Sequence, residues 1–222
     1  MLKFIFKLVS KFFHKRHIYL VKSLVYDDKK TQEYEGRADY IRIKTLELCA
    51  RQIKAKDVKG SVAEVGVYKG QFAALINENF PDKSLYLFDT FEGFSKKDID
   101  TEKKKNFSTG EQDFSDTSVE MVLSKMPFKE KCIVKKGFFP ETAAGMNETF
   151  CFVSIDTDLY EPIYASLVYF YDRLEHGGYI FIDDFTNFYY KGAQEAVNKF
   201  CNERGITPIP MADVCGGAII SK

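Results

Sequence analysis

The chain reads as an α/β protein with a mostly parallel sheet of seven strands, helices on both faces and an antiparallel C-terminal strand. Three observations predict it. From residue 37 onward, short apolar runs alternate with segments of helical period, the pattern of βα units in a parallel sheet. Glycines punctuate the turns between them, as at Gly66, Gly70, Gly177, Gly178 and Gly205. The last two apolar runs have no helix between them, so they pair antiparallel at the edge of the sheet. A length of 222 residues suits one such domain with a full core plus an appendage.

The appendage comes first. Lys3, Lys7, Ser10, Lys11 and His14 recur at helical spacing, and Phe4, Ile5, Leu8 and Phe12 cover the opposite face. Residues 1–35 are therefore a basic amphipathic helix and a polar linker. Lysines interrupt the apolar stretch and no small-residue cleavage site follows, unlike a signal peptide. The segment is also too short and too charged to span a bilayer. Residues 1–20 suit contact with an anionic membrane surface or with a partner subunit, which would make a homo-oligomer. Docking on the chain's own domain is the alternative.

The second unit covers residues 36–222. A helix is predicted over 37–53 through Ile41, Ile43, Leu46 and Leu48. Residues 61–66 read as a strand, 70–79 as a helix, and 84–89 as a second strand. The lysine-rich stretch of about 91–114 has few apolar anchors and reads as an irregular, lid-like loop. A helix over 115–126 and a strand over 131–135 follow. Residues 150–155 form the fourth strand and 161–174 a helix, which Gly177 and Gly178 break before the fifth strand at 179–182. The helix over 191–204 stops at Gly205, and 206–210 and 217–221 are the closing strands.

Composition narrows the function classes. Thirty-two basic and 32 acidic residues give a formal net charge of +0, which supplies no electrostatic basis for nucleic-acid binding. The five cysteines are scattered, with no CxxC pair and no zinc spacing. Reduced thiols and a cytoplasmic location are expected, peripheral to the inner face of the membrane if residues 1–20 bind lipid.

The carboxylates carry most of the functional signal. Asp156 and Asp158 end the run Cys151-Phe152-Val153-Ser154-Ile155, and Asp183 and Asp184 end Tyr179-Ile180-Phe181-Ile182. In a parallel sheet both pairs meet at the same carboxyl edge, and gathered negative charge calls for a cation. Asp156 and Asp158, two apart on an extended strand, share a face. Asp183 and Asp184 do not, so the chain must turn there if both are to reach one ion. Helix capping at strand–helix turns is the other use for such aspartates.

Glu64-Val65-Gly66-Val67-Tyr68-Lys69-Gly70 joins the first strand to a helix. Gly66 permits a tight turn, Gly70 permits close approach of backbone to ligand, and the helix N-terminus favours an anion. The spacing is not GxGxxG. An acidic residue two positions before the first glycine repels a pyrophosphate but suits a cationic amino-acid group, which favours S-adenosylmethionine over a dinucleotide. Asp89 ends the second strand, where doubly wound folds accept the ribose hydroxyls of nucleoside cofactors. The polar segment 112–118 lies within reach of an adenine. Tyr160, Phe185, Tyr189 and Tyr190 follow the acidic strand ends, placed either to stack on a sugar ring or to pack the rim.

Together with Phe88-Asp-Thr-Phe-Glu-Gly-Phe94, Lys136-Gly-Phe-Phe-Pro-Glu-Thr142, Ser154-Ile-Asp-Thr-Asp-Leu-Tyr160 and Gly177-Gly-Tyr-Ile-Phe-Ile-Asp-Asp184, in that order, these motifs make residues 36–222 resemble the macrocin O-methyltransferase family. The resemblance implies a Rossmann-like class I methyltransferase fold, S-adenosylmethionine and Mg2+ as cofactors, and a sugar hydroxyl as acceptor. By position it implies a cofactor-binding turn of Glu64, Gly66, Val67 and Tyr68, with Asp89, Thr90 and Phe91 at the ribose. Asp156, Asp183 and Asp184 match the metal ligands, and Asp158 matches the general base. The basic N-terminal helix is not part of the shared pattern and suits an acceptor near a membrane, such as a lipid-linked or surface glycan. A catechol-type methyltransferase and a non-catalytic cofactor-binding scaffold are the competing readings.

Overall fold

A computed structural model describes Ile5, residues 9–13 and residues 39–222. The chain divides into two units, Met1–Gln32 and Glu33–Lys222. In the first, Ile5 and residues 9–13 are helical, and Ile5, Val9 and Phe12 are exposed. The remainder of the basic helix and its linker lie outside the described residues. Among the described residues no helix is long and apolar enough to cross a membrane.

The second unit holds seven strands: β1 (Ser61–Val65), β2 (Leu85–Asp89), β3 (Cys132–Lys136), β4 (Phe150–Ile155), β5 (Leu174–Ile182), β6 (Ile209–Pro210) and β7 (Ala218–Ser221). Their order across the sheet is β3-β2-β1-β4-β5-β7-β6. β1 to β5 run parallel, and β7 lies antiparallel to both β5 and β6. The expected antiparallel ending is thus present, with the last strand inserted between its two partners. The chain winds outward from β1 through β2 to β3, then returns to β4 on the other side of β1. Strand order reverses between β1 and β4, where open α/β sheets hold their ligands.

Among the described residues six α-helices accompany the sheet: α1 (Tyr40–Ala55), α2 (Gln71–Asn79), α3 (Lys96–Lys105), α4 (Val119–Ser124), α5 (Tyr160–Arg173) and α6 (Lys191–Arg204). Alternation along the strands sorts the core into two layers. Val62, Leu87, Phe152 and Phe181 pack with α1, α2 and α4, whereas Ala63, Val65, Phe88, Val153, Ile155 and Ile180 pack with α5 and α6. All of these but Val65 have no exposed surface, and burying each phenylalanine contributes about 1.5–3 kcal/mol. Asp39 caps α1 by accepting from the amides of Ile41 and Arg42, both at 3.1 Å, and left-handed Gly205 ends α6.

β6 covers only Ile209–Pro210 of the expected 206–210, and three other elements depart from expectation. The stretch of about 91–114 is not irregular throughout, because α3 occupies its middle. Ser95 caps that helix through the amide of Asp98, and Glu102 anchors it. The Glu102 carboxylate, fully buried, accepts from the amide of Tyr160 at 2.8 Å and the hydroxyl of Ser108 at 2.6 Å. Every residue of α3 but Ile99 is polar or charged, so it carries no 3.6-residue apolar period. β5 begins at Leu174 rather than Tyr179, running through both glycines; a side chain on Gly178 would come within 2.8 Å of the Cys151 carbonyl of β4. α4 begins four residues later than expected, because Ser118 accepts from the amide of Met121 and fixes the start there.

Candidate active site

Two loops meet at the switch point. Gly66, just past β1, has φ +82°, and a Cβ on it would lie 1.9 Å from the carbonyl oxygen of Asp156, just past β4. Glycine is required here by the neighbouring strand's backbone. Gly70 also has a left-handed backbone, and its close neighbours are Val122 and Met126 behind the loop. The close approach expected there is to α4, since Gly70 does not line the cavity described next.

A cavity of about 370 Å³ opens over these loops. Glu64, Gly66, Val67, Tyr68, Asp89 and Thr90 line one side, and Asp156 and Asp158 line the other. Phe72, Phe94, Phe114, Phe138 and Phe139 supply apolar walls. Phe114 sits edge to face with both Tyr68 and Phe94, each at 5.1 Å. The segment carrying it is tied down: Asp116 takes the Tyr68 hydroxyl and the Lys69 ammonium, both at 2.6 Å, and the Thr117 hydroxyl donates to the Tyr68 carbonyl.

The residues expected at the cofactor turn differ in what they contact. Asp89 spends most of its carboxylate on the loop itself: one oxygen accepts from the amides of Val67 and Tyr68 at 2.7 and 2.8 Å, the other from Phe91 at 2.6 Å. With about four lone-pair sites, it keeps capacity for one further donor. Thr90 closes its own turn by donating to the Gly93 carbonyl. Phe91 points away, its side chain buried in the core layer of α1 and α2. Glu64 is 1 % exposed and its Oε2 has no hydrogen-bond partner. Burial and the nearby Asp156 charge push its pKa well above the carboxylate range, with Arg42 acting the other way.

The acidic strand ends converge. Asp156, Asp158 and Asp184 bring carboxylate oxygens within 4.8 Å of one another, and Asp183, Asp184 and Cys215 form a second such group. Asp184 belongs to both. The turn that the Asp183–Asp184 pair requires is present, since Asp184 has φ +58°. Asp158 has the same φ, and aspartate is among the few side chains that tolerate it. Burial first, and then the neighbouring carboxylates, hold Asp156 and Asp158 well above the usual range. Asp184 is raised mainly by burial, against hydrogen bonds from Asp158 and Asn187.

Arg42 of α1 is the residue that sequence reasoning missed. Its guanidinium contacts Asp183 at 2.7 Å and Asp156 at 3.3 Å, and it donates to Ser154 at 3.5 Å. It also stacks on Phe72, 4.2 Å from the ring centroid. Glu64, Ser154, Asp156 and Asp183 have the parity of Val62, Phe152 and Phe181, which puts them on the face that α1 covers. Burial alone would lower the Arg42 pKa, but Asp183, Asp156 and Glu64 raise it further. The available signal was the carboxylate cluster itself, since that much buried negative charge demands a countercharge from the covering helix. Of the aromatics expected near the strand ends, Phe185 is in the core and Tyr160 packs on Phe107 and Tyr164. Tyr190 is buried and Tyr189 is exposed.

The family described as macrocin-O-methyltransferase (TylF) matches residues 35–219. A curated relative from Streptomyces olivaceus, 8-demethyl-8-(2,3-dimethoxy-alpha-L-rhamnosyl)-tetracenomycin-C 4'-O-methyltransferase, is 22% identical over 190 residues, covering 80% of this chain and 71% of that protein. Two solved structures share the fold. The O-methyltransferase NovP aligns with a TM-score of 0.66 and 19% identity, covering 82% of this chain and 79% of that one. CalS11, a calicheamicin methyltransferase, aligns with a TM-score of 0.67 and 20% identity, covering 83% and 80%.

Proposed function

Given that the chain belongs to the macrocin O-methyltransferase family and is an S-adenosylmethionine-dependent O-methyltransferase, we propose that it methylates a sugar hydroxyl with the help of a divalent metal, Mg2+, and that Asp158 is the general base. The observation that carries this reading is the junction at the switch point. A cavity of about 370 Å³ with a buried carboxylate oxygen that lacks a hydrogen-bond partner adjoins a cluster of carboxylates at the same sheet edge. The sugar acceptor is favoured by the relative whose name describes a rhamnosyl tetracenomycin methyltransferase.

The residues fit both groups. Glu64 Oε2 is a buried acceptor lacking a donor, and the cationic amino-acid end of S-adenosylmethionine would supply one. Asp183 Oδ1 is likewise buried without a hydrogen-bond partner. Asp156 and Asp184 share one close group and Asp183 joins Asp184 in the other, so these three offer hard oxygens of the kind Mg2+ selects, and Arg42 supplies only one positive charge against them and Asp158. When bound, S-adenosylmethionine supplies an electrophilic methyl on positive sulfur, and Mg2+ acidifies and orients a coordinated hydroxyl.

The chain's own residues do the rest. Asp158, which lines the cavity beside Asp156, would take the hydroxyl proton as the new O–CH3 bond forms and the methyl–sulfur bond breaks. Asp89 holds the β1 turn in shape through three amides and leaves one site for a ribose hydroxyl. Phe72, Phe94 and Phe114 line the cavity with apolar surface that keeps water from competing for the methyl group. Calorimetric titration with S-adenosylhomocysteine, with and without Mg2+, tests the reading. Binding is expected in both cases, and methyl transfer to a rhamnoside panel is expected only with metal. Absence of S-adenosylhomocysteine binding in both buffers sinks the cofactor assignment, and transfer unaffected by a chelator sinks the metal.

A further inference from the structure

A second cavity, of about 400 Å³, lies between the segment following α3 and the loop entering α6. Its lining mixes rings with hydrogen-bonding groups: Phe107, Gln112, Phe188, Tyr189 and Tyr190 are among them. Three observations single it out. Phe188 is 88 % exposed and Tyr189 80 %, although Phe185 in the same loop is buried in the core. Adjacent rings left in solvent at the lip of a cavity suit stacking on a ligand. Tyr190 is only 7 % exposed, and its hydroxyl is buried with no hydrogen-bond partner. Tyr190 follows Asp184 by six residues, at the end of the loop that leaves the acidic cluster for α6, and burial first, then Asp158, Asp184, Asp156 and Glu102, push its hydroxyl pKa up.

We propose that this cavity is an acceptor subsite for a second pyranose ring, the one linked to the sugar that is methylated. The proposal rests on the sugar-methyltransferase reading above and extends it from a single sugar to a glycan. Phe188 and Tyr189 offer flat faces for the C–H side of a pyranose. Gln112 and Tyr190 offer polar groups for its hydroxyls, and the Tyr190 hydroxyl gains the partner it lacks. The cavity is too polar at its rim for a wholly apolar aglycone, since Asn106, Ser108, Thr109, Glu111 and Lys191 also border it.

The test uses the full chain saturated with S-adenosylhomocysteine and Mg2+. Three probes are titrated by saturation-transfer NMR: methyl α-L-rhamnoside, a methyl rhamnosyl-rhamnoside disaccharide, and p-nitrophenyl α-L-rhamnoside. The disaccharide is expected to bind at least tenfold more tightly than the methyl monosaccharide. The double variant Phe188→Ala/Tyr189→Ala is expected to erase that advantage, and Tyr190→Phe to reduce it several-fold. Affinity for S-adenosylhomocysteine should be unchanged in all of them, which separates loss of the subsite from loss of the fold. Equal binding of monosaccharide and disaccharide, no sugar binding, or an advantage that survives the double variant overturns the proposal. A gain for the nitrophenyl glycoside alone assigns the cavity to a planar aglycone and also overturns it. Failure to bind S-adenosylhomocysteine at all would instead strike the underlying methyltransferase reading.

Discussion

Replacing Arg42 by methionine tests whether the covering helix supplies the countercharge of the acidic edge. The variant keeps the apolar bulk on α1 and removes the ion pairs to Asp183 and Asp156. Asp183 is nearly inaccessible, its side chain 8 % exposed, so water cannot replace the guanidinium there. Stranding one partner of a buried ion pair costs about 3–5 kcal/mol. Loss of the Phe72 stacking removes up to about 2 kcal/mol more, although the two effects overlap. A domain of this size loses roughly 2–4 °C of Tm per kcal/mol, so a fall of about 6–20 °C is expected. Scanning calorimetry and urea titration in chelator-containing buffer are the assays. Asp183→Asn should destabilise wild type yet be nearly neutral, or even favourable, in the Arg42→Met background, giving a coupling of about 2 kcal/mol or more. Arg42→Lys should recover only part of the loss, since an ammonium cannot bridge two carboxylates as a planar fork does. A loss below about 1 kcal/mol, or an additive double-mutant cycle, would refute the reasoning.

Asp158→Asn is expected to lower methyl transfer by roughly 10²–10⁴-fold while S-adenosylhomocysteine affinity stays within about threefold, measured by product mass spectrometry and calorimetry; retained turnover removes Asp158 from the base role. Glu102→Ala leaves the Tyr160 amide and the Ser108 hydroxyl without their acceptor, which costs about 1–3 kcal/mol and loosens α3. Limited proteolysis should then cut within residues 96–110 faster than in wild type, and an unchanged pattern argues against Glu102 as the anchor. Burial pushes the Cys49 thiol up to about 12 and the Cys132 thiol to about 11, from an ordinary 9.0. Both hold their protons more tightly when folded, so the stability they contribute is complete below about pH 9 and is lost as pH climbs towards 11–12. Ellman's reagent at pH 8 should label these two thiols only after urea is added.

The strand-and-helix framework was legible because burial on both sheet faces leaves long apolar runs. Phe150–Ile155 and Lys191–Arg204 lie where periodicity and Gly205 put them. The meeting of Asp156 and Asp158 with Asp184 followed from parallel strands ending at one edge. What stayed hidden depends on single contacts at long range. Ile41 and Leu48 suggested the buried face of α1, yet both are exposed, and Arg42 and Lys44 are buried instead. The buried stripe is Ile43, Leu46, Ala50 and Ile53, and an apolar period cannot reveal that Arg42 beside it is buried against carboxylates more than 100 residues away. α3 escaped for a related reason: a buried acid, Glu102, docks it, and no apolar stripe does. Asp89 was legible as the residue that ends β2, but its three amide partners come from a turn whose conformation only the folded chain displays.

The 1.9 Å clearance at Gly66 has a consequence beyond the choice of glycine. The loop bordering the donor cavity and the loop leading to Asp158 are pressed together with no side chain between them. The Asp156 amide also donates to the Val65 carbonyl at 2.8 Å, so the backbones interlock on both sides of the contact. Neither loop can shift without moving the other. If filling one site displaces its loop, the other site must respond, and whatever one gains in affinity from filling the other is then returned in equal measure.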